Sequence, residues 1–214
     1  MHFLGVIILK INWKTLIFFV AIPLLVGGVA SLISRESMAM FDLLDKPPLS
    51  PPGWLFPLVW TILYTLMGLA SYLVFTSQKD QDEIKLALQI YTLQLAFNFF
   101  WTILFFNVEL YFFAFFWLLA LLALIILTTI LFYKISKPAA YLMIPYIIWV
   151  TFAAYLNLGI ALLNWKSQVW RPLHEKLNRT SRINVWASSD FPKRLPFRRA
   201  ARTFFCVHRI LTFH

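Results

Sequence analysis

The stretch KPPLSPPGWLFPLVWTILYTLMG, residues 46–68, decides the fold, because clustered prolines run directly into an uncharged apolar segment that carries tryptophan and tyrosine. Pro47, Pro48, Pro51 and Pro52 cannot propagate a helix and hold their neighbours extended or in turns, so they predict a stiff loop at a membrane surface. Gly53 and Trp54 then open a span. Trp60, Tyr64 and Gly68 recur at steps of four and fall on one stripe of a helix, which sets two polar-tipped aromatics inside the apolar layer.

Outside this stretch the chain is equally apolar: 61% of its 214 residues are hydrophobic and 13% charged, with a mean hydropathy of +0.75. That balance excludes an ordinary soluble domain and predicts an all-α integral membrane protein. Charges cut the first 165 residues into uncharged intervals at 15–34, 47–78, 86–108, 110–133 and 138–165. Each holds the roughly 20 apolar residues that cross about 30 Å of hydrocarbon, so a five-transmembrane-helix bundle is expected. None shows the alternation of a barrel strand, which leaves helices as the way to satisfy backbone groups in lipid. The spans are placed at about 15–34, 54–77, 86–108, 110–133 and 138–164. A flank of residues 1–14 precedes them and the proline-rich loop occupies 35–53. The first apolar run follows Lys10 and Lys14, ends in no small-residue cleavage site and is long enough to span, so it is read as a helix and not a signal peptide. Its Gly27, Gly28, Ala30 and Ser31 suit close approach of a neighbouring helix, and Pro23 is a candidate kink.

The net charge of +10 is unevenly placed: residues 1–164 hold eight Lys/Arg and seven Asp/Glu, and residues 165–214 hold eleven against two. This basic tail lacks sustained periodicity and is expected to be a poorly ordered extension outside the membrane domain. A polybasic arm on anionic lipid is the second reading, with Trp170, Leu173 and Leu177 on one short helical face, and no nucleic-acid partner is expected. For the core alone, Lys10, Lys14, Lys79, Lys85, Lys134 and Lys137 share one side and would place it in the cytoplasm, a bias that the tail's nearest basic residues cancel.

Familiar catalytic chemistry is missing from the spans. His2, His174, His208, His214 and Cys206 all lie outside them, which rules out a disulfide, and no metal site or other cofactor is called for in the core. No nucleophilic triad, phosphate-binding glycine loop or intramembrane carboxylate pair occurs. An uncharged interior also fits an ion-coupled transporter poorly. Glu109, between the third and fourth spans, reads as a loop carboxylate.

Neutral polar residues among aromatics are what remains. Gln94 and Asn98 lie one turn apart on the third span, with Tyr91 and Trp101 near the same face. On the fifth span Trp149, Phe152, Ala153 and Asn157 repeat the combination of aromatics, a small gap and an amide, preceded by Pro145 and Tyr146. Such stripes either pack as core with the amides joining helices, or enclose a flat, largely apolar ligand; the residues alone leave both open.

Three blocks in order, Pro47 to Gly68, QLAFNFFWTILFF (94–106) and PYIIWVTFAAYLN (145–157), resemble the TspO/MBR family of translocator and tryptophan-rich sensory proteins. The likeness covers about residues 13–164 and leaves the tail unmatched. Where many members have Gly-Pro or a similar pair, this chain has Pro57-Leu58. The resemblance implies a homodimeric five-helix bundle of the bacterial inner or mitochondrial outer membrane. Its pocket, for a porphyrin-like tetrapyrrole, would be closed by the proline loop, with cholesterol or benzodiazepine-type molecules as further ligands. Carried over residue by residue, the ligand-binding set is Trp54, Trp60, Tyr64, Gln94, Asn98, Trp101, Trp149, Phe152, Ala153 and Asn157, under a lid of Pro47, Pro48, Pro51 and Pro52. The proposed sterol motif of the family's fifth helix is not matched, since the first basic residue after Tyr155 is Lys166. Leu131, Tyr133 and Lys137 satisfy only its loosest form. A binding, transport or sensory role is expected, with no catalytic residue. The alternative is an enzyme promoting light-dependent oxidative degradation of protoporphyrin, in which Trp60 and Trp149 would react. A structural bundle partnered by another membrane protein is the third reading.

Overall fold

A computed structural model describes residues 12–40 and 44–165; the basic tail beyond Trp165 lies outside the described residues. The described chain is helical, without strands: α1 (Trp13–Ile33), α2 (Arg35–Met40), α3 (Leu55–Phe75), α4 (Gln81–Thr102), α5 (Tyr111–Ile135) and α6 (Lys137–Leu163). A π-helical turn, Ile103–Asn107, extends α4. Five helices, α1, α3, α4 with its π turn, α5 and α6, are long and apolar enough to cross a membrane, and the protein is a multi-pass membrane protein.

The ends of the helices follow from local chemistry. Asn12 accepts a hydrogen bond from the Thr15 amide at 3.3 Å and so starts α1 two residues before the uncharged interval. Asp80 accepts from the amides of Asp82 and Glu83 at 2.8 and 3.4 Å, which carries α4 back to Gln81, through charged residues that the interval from 86 leaves out. Pro57 falls in the first turn of α3, where the missing N–H has no intrahelical partner to lose, so the Pro57-Leu58 departure leaves that helix regular. Within the expected loop 35–53, residues Arg35–Met40 form the short α2. At the π turn the Val108 amide reaches the Ile103 carbonyl at 3.0 Å, five residues back. Asn107 then donates to the Ile33 carbonyl at 3.2 Å and accepts from Ser34 Oγ at 2.5 Å, which covers the C-terminal end of α1.

Packing places α5 against α6, α4 against α5, α3 against α6, and α1 mainly against α3. Two glycines decide how closely α1 and α3 approach. A Cβ at Gly68 would lie 2.5 Å from Val20 Cα, and one at Gly27 would lie 2.1 Å from Tyr64 Cε2. Both act as the small-residue rule expects, whereas Gly28 has nothing within 4 Å. The buried core runs through Met67, Leu118, Leu121, Ile125, Phe132, Met143, Tyr146 and Val150.

Candidate functional site

Residues from the stripes of α3, α4 and α6 meet in the bundle. Trp60 stacks on Tyr64 with ring centroids 5.5 Å apart and packs against Trp101 and Tyr146, each at 6.2 Å. Tyr64 donates its hydroxyl to Asn98 Oδ1 at 3.2 Å, and Asn98 Nδ2 donates to the Tyr146 hydroxyl at 2.6 Å. One amide thus ties three helices, and its partners are themselves members of the aromatic cluster. With its amide oriented to satisfy both ends, Asn157 donates to the Tyr111 carbonyl at 2.8 Å and accepts from Trp101 Nε1 at 3.1 Å. Asn98 and Asn157 therefore hold the cluster together through bonds already made.

Gln94 differs. It is 0% exposed, one turn from Asn98, yet neither its amide oxygen nor its amide nitrogen has a hydrogen-bond partner. Trp149 Nε1 is likewise buried and unpartnered. A primary amide with no partner in an apolar interior costs about 1–3 kcal/mol by mutational measures, so such a group calls for an account beyond packing.

The remaining predicted residues divide into those brought near this centre and those held apart. Trp149 packs on Phe56 at 6.0 Å and on Phe152 at 5.8 Å, and Phe152 stacks on Tyr155 at 6.1 Å, which forms a second aromatic group between α3 and α6. Ala153 is buried on the α6 face that carries Tyr146 and Asn157. Trp54, at the N-cap of α3, is 67% exposed and stands outside both groups.

The proline loop is docked on α6. Pro47 is buried, and a Cβ at Gly159 would come within 2.6 Å of its ring, so the glycine is the seat for this proline. Tyr155 donates to the Pro48 carbonyl at 2.9 Å. Asn164 accepts from the Asp45 amide at 3.1 Å and donates to the Asp45 carbonyl at 2.8 Å. Pro48, Pro51 and Pro52 are less covered, and Leu49 between them takes φ +65° in a turn that Ser50 closes on the Pro47 carbonyl at 2.8 Å. Tyr155, Gly159 and Asn164 follow one another along α6 at steps of four and five, a signal that escapes notice until the loop is seen on that face. Tyr146 was legible as the residue seven before Ala153 on the same stripe. Tyr155, where a sterol motif would need a free tyrosine, is engaged by the loop, while Lys137 Nζ stands 5.8 Å over the Tyr133 ring.

Compared with known protein families, residues 19–163 match the TspO/MBR family. The chain is 35% identical over 151 residues to the tryptophan-rich protein TspO of Chlorobaculum tepidum, covering 70% of this chain and 96% of that protein. It is 32% identical over 157 residues to the tryptophan-rich sensory protein of Cereibacter sphaeroides, covering 73% and 96%. The translocator protein of Bos taurus is 33% identical over 147 residues, covering 68% and 87%.

Proposed function

The chain belongs to the TspO/MBR family, and on that premise we propose that it is a membrane receptor or transport-type protein that binds a porphyrin-like tetrapyrrole among α3, α4 and α6. The observation that carries the proposal is Gln94, whose fully buried amide meets no protein partner one turn from Asn98, which is bonded into the cluster of Trp60, Tyr64 and Trp101. A flat conjugated macrocycle supplies faces for tryptophan to stack on and a few polar atoms for an amide to bond, which is the complement of that arrangement. Asn98 and Asn157 act differently in this reading: they fix the aromatic walls through bonds among protein groups, which limits the ordering cost of binding. The loop seated on Gly159 is the lid, and release of the Tyr155 and Asn164 bonds opens it.

Protoporphyrin IX titrated into the purified protein is expected to quench tryptophan fluorescence saturably. Quenching that is absent, or unchanged in Trp149→Phe and Gln94→Leu variants, would overturn the reading. A second reading, light-dependent oxidative degradation of protoporphyrin, is favoured by one feature: Trp60 contacts Tyr64, Trp101 and Tyr146, three further oxidisable rings. Under illumination, bleaching beyond one porphyrin per protein that falls in Trp60→Phe supports catalysis. Stoichiometric tryptophan oxidation supports binding alone.

A further inference from the structure

Away from the aromatic cluster, a groove of about 490 Å³ opens on the outer surface between the end of α3 and the first half of α4, lined by Phe75, Gln81, Ile84, Lys85, Leu88, Gln89 and Thr92. Its chemistry is divided lengthwise. Gln81, Lys85, Gln89 and Thr92 recur at steps of four, four and three, so they form one polar stripe along α4. Ile84 is buried, and Phe75 and Leu88 supply apolar surface, with the Phe75 ring held by Phe19 at 4.8 Å. From Gln81 to Thr92 the helix rises roughly 16 Å, its first turn, through Lys85, among the interfacial charges and the rest within one leaflet of the 30 Å hydrocarbon layer, so the groove has the reach of a headgroup and the upper part of an acyl chain.

A polar stripe on the outward face of a spanning helix needs partners at depth, because hydrocarbon offers none. Thr92 satisfies its own hydroxyl on the Leu88 carbonyl at 2.8 Å. Among the described residues, Lys85 forms no ion pair and the Gln89 amide no hydrogen bond. The carboxylates nearest in sequence are Asp80, engaged at the α4 N-cap, and Asp82 and Glu83; none of the three lines the groove. Of the residues that line the groove, Lys85 alone is charged.

We propose that this groove is a binding site for one anionic phospholipid of the leaflet on the Lys79/Lys85 side. The phosphate sits against the Lys85 ammonium, Gln89, one turn deeper, donates to an ester carbonyl, and an acyl chain lies along Ile84, Leu88 and Phe75. Charge complementarity commits the site to an acidic headgroup, and the reach from headgroup to acyl chain to a lipid over a soluble phosphate compound.

Native mass spectrometry of the full chain released from bilayers of mixed phosphatidylglycerol and phosphatidylcholine tests this. Retention of one phosphatidylglycerol in preference to phosphatidylcholine is expected. Lys85→Gln should reduce that retention about fivefold and Gln89→Leu should reduce it further, whereas Lys134→Gln, outside the groove, should leave it unchanged. Both groove positions are exposed, so the substitutions spare the core. Equal retention of the two lipids, or loss no greater in Lys85→Gln than in Lys134→Gln, overturns the proposal. Benzophenone placed at Leu88 gives an independent readout: cross-linking to phosphatidylglycerol supports the site, and cross-linking only to phosphatidylcholine opposes it.

Discussion

Gln94→Leu is expected to raise stability and lower ligand affinity together, and Asn98→Leu to lower both. The two amides stand one turn apart on α4 and each is 0% exposed, so burial does not distinguish them. Their partners do. Leucine at 94 removes an amide that makes no bond, so about 1 kcal/mol or more of unpaid desolvation disappears at little change in volume. For a chain of this length that corresponds to a rise in melting temperature of about 2–4 °C per kcal/mol. Leucine at 98 removes the 3.2 Å bond from Tyr64 and the 2.6 Å bond to Tyr146 and leaves both hydroxyls buried without that partner. That cost is about 2–4 kcal/mol, reduced to the extent that the chain unfolded within the membrane finds other partners. In the same Gln94→Leu protein, loss of one ligand hydrogen bond weakens porphyrin binding about five- to tenfold. Thermal unfolding in one detergent, followed by porphyrin titration of the same samples, reads both quantities. A melting temperature that falls as far in Gln94→Leu as in Asn98→Leu would refute the reasoning, since it would mean that Gln94 is structurally bonded.

Other substitutions test the packing and the lid. Gly68→Ala sets a methyl 2.5 Å from the α1 backbone and should cost about 1–3 kcal/mol, while Gly28→Ala, with open space around it, should be neutral or stabilising by up to about 1 kcal/mol; thermal melts of the pair decide. Gly159→Ala drives a Cβ into the Pro47 ring, so the loop should become more susceptible to limited proteolysis and porphyrin should dissociate faster in stopped-flow measurements. An unchanged proteolytic pattern would show that the seat is not needed. Asn164→Ala removes both bonds to the Asp45 backbone, and its effect on dissociation should resemble that of Gly159→Ala without an overpacking clash.

The number of spans, their order and the three aromatic stripes were legible in the residues because lipid imposes a one-dimensional rule: each crossing needs an uncharged run of fixed length, and each stripe follows from helical periodicity. The start of α4 escaped a count of uncharged residues because Asp80 caps the helix in the interfacial sequence, beyond the reach of hydropathy. The π turn has no residue signature, yet it brings Asn107 to α1. What only the tertiary structure decided is how similar residues divide their roles. Asn98, Asn157 and Gln94 read alike as amides in apolar helices; two are bonded across helices and one is not, and that depends on which groups face them after packing. Tyr155 and Gly159 look like ordinary helix surface until Pro47 and Pro48, more than a hundred positions earlier, lie upon them. A sequence specifies which side chains can share a face, but a hydrogen bond or a steric seat exists only between two faces at a set distance, and that distance belongs to the folded bundle.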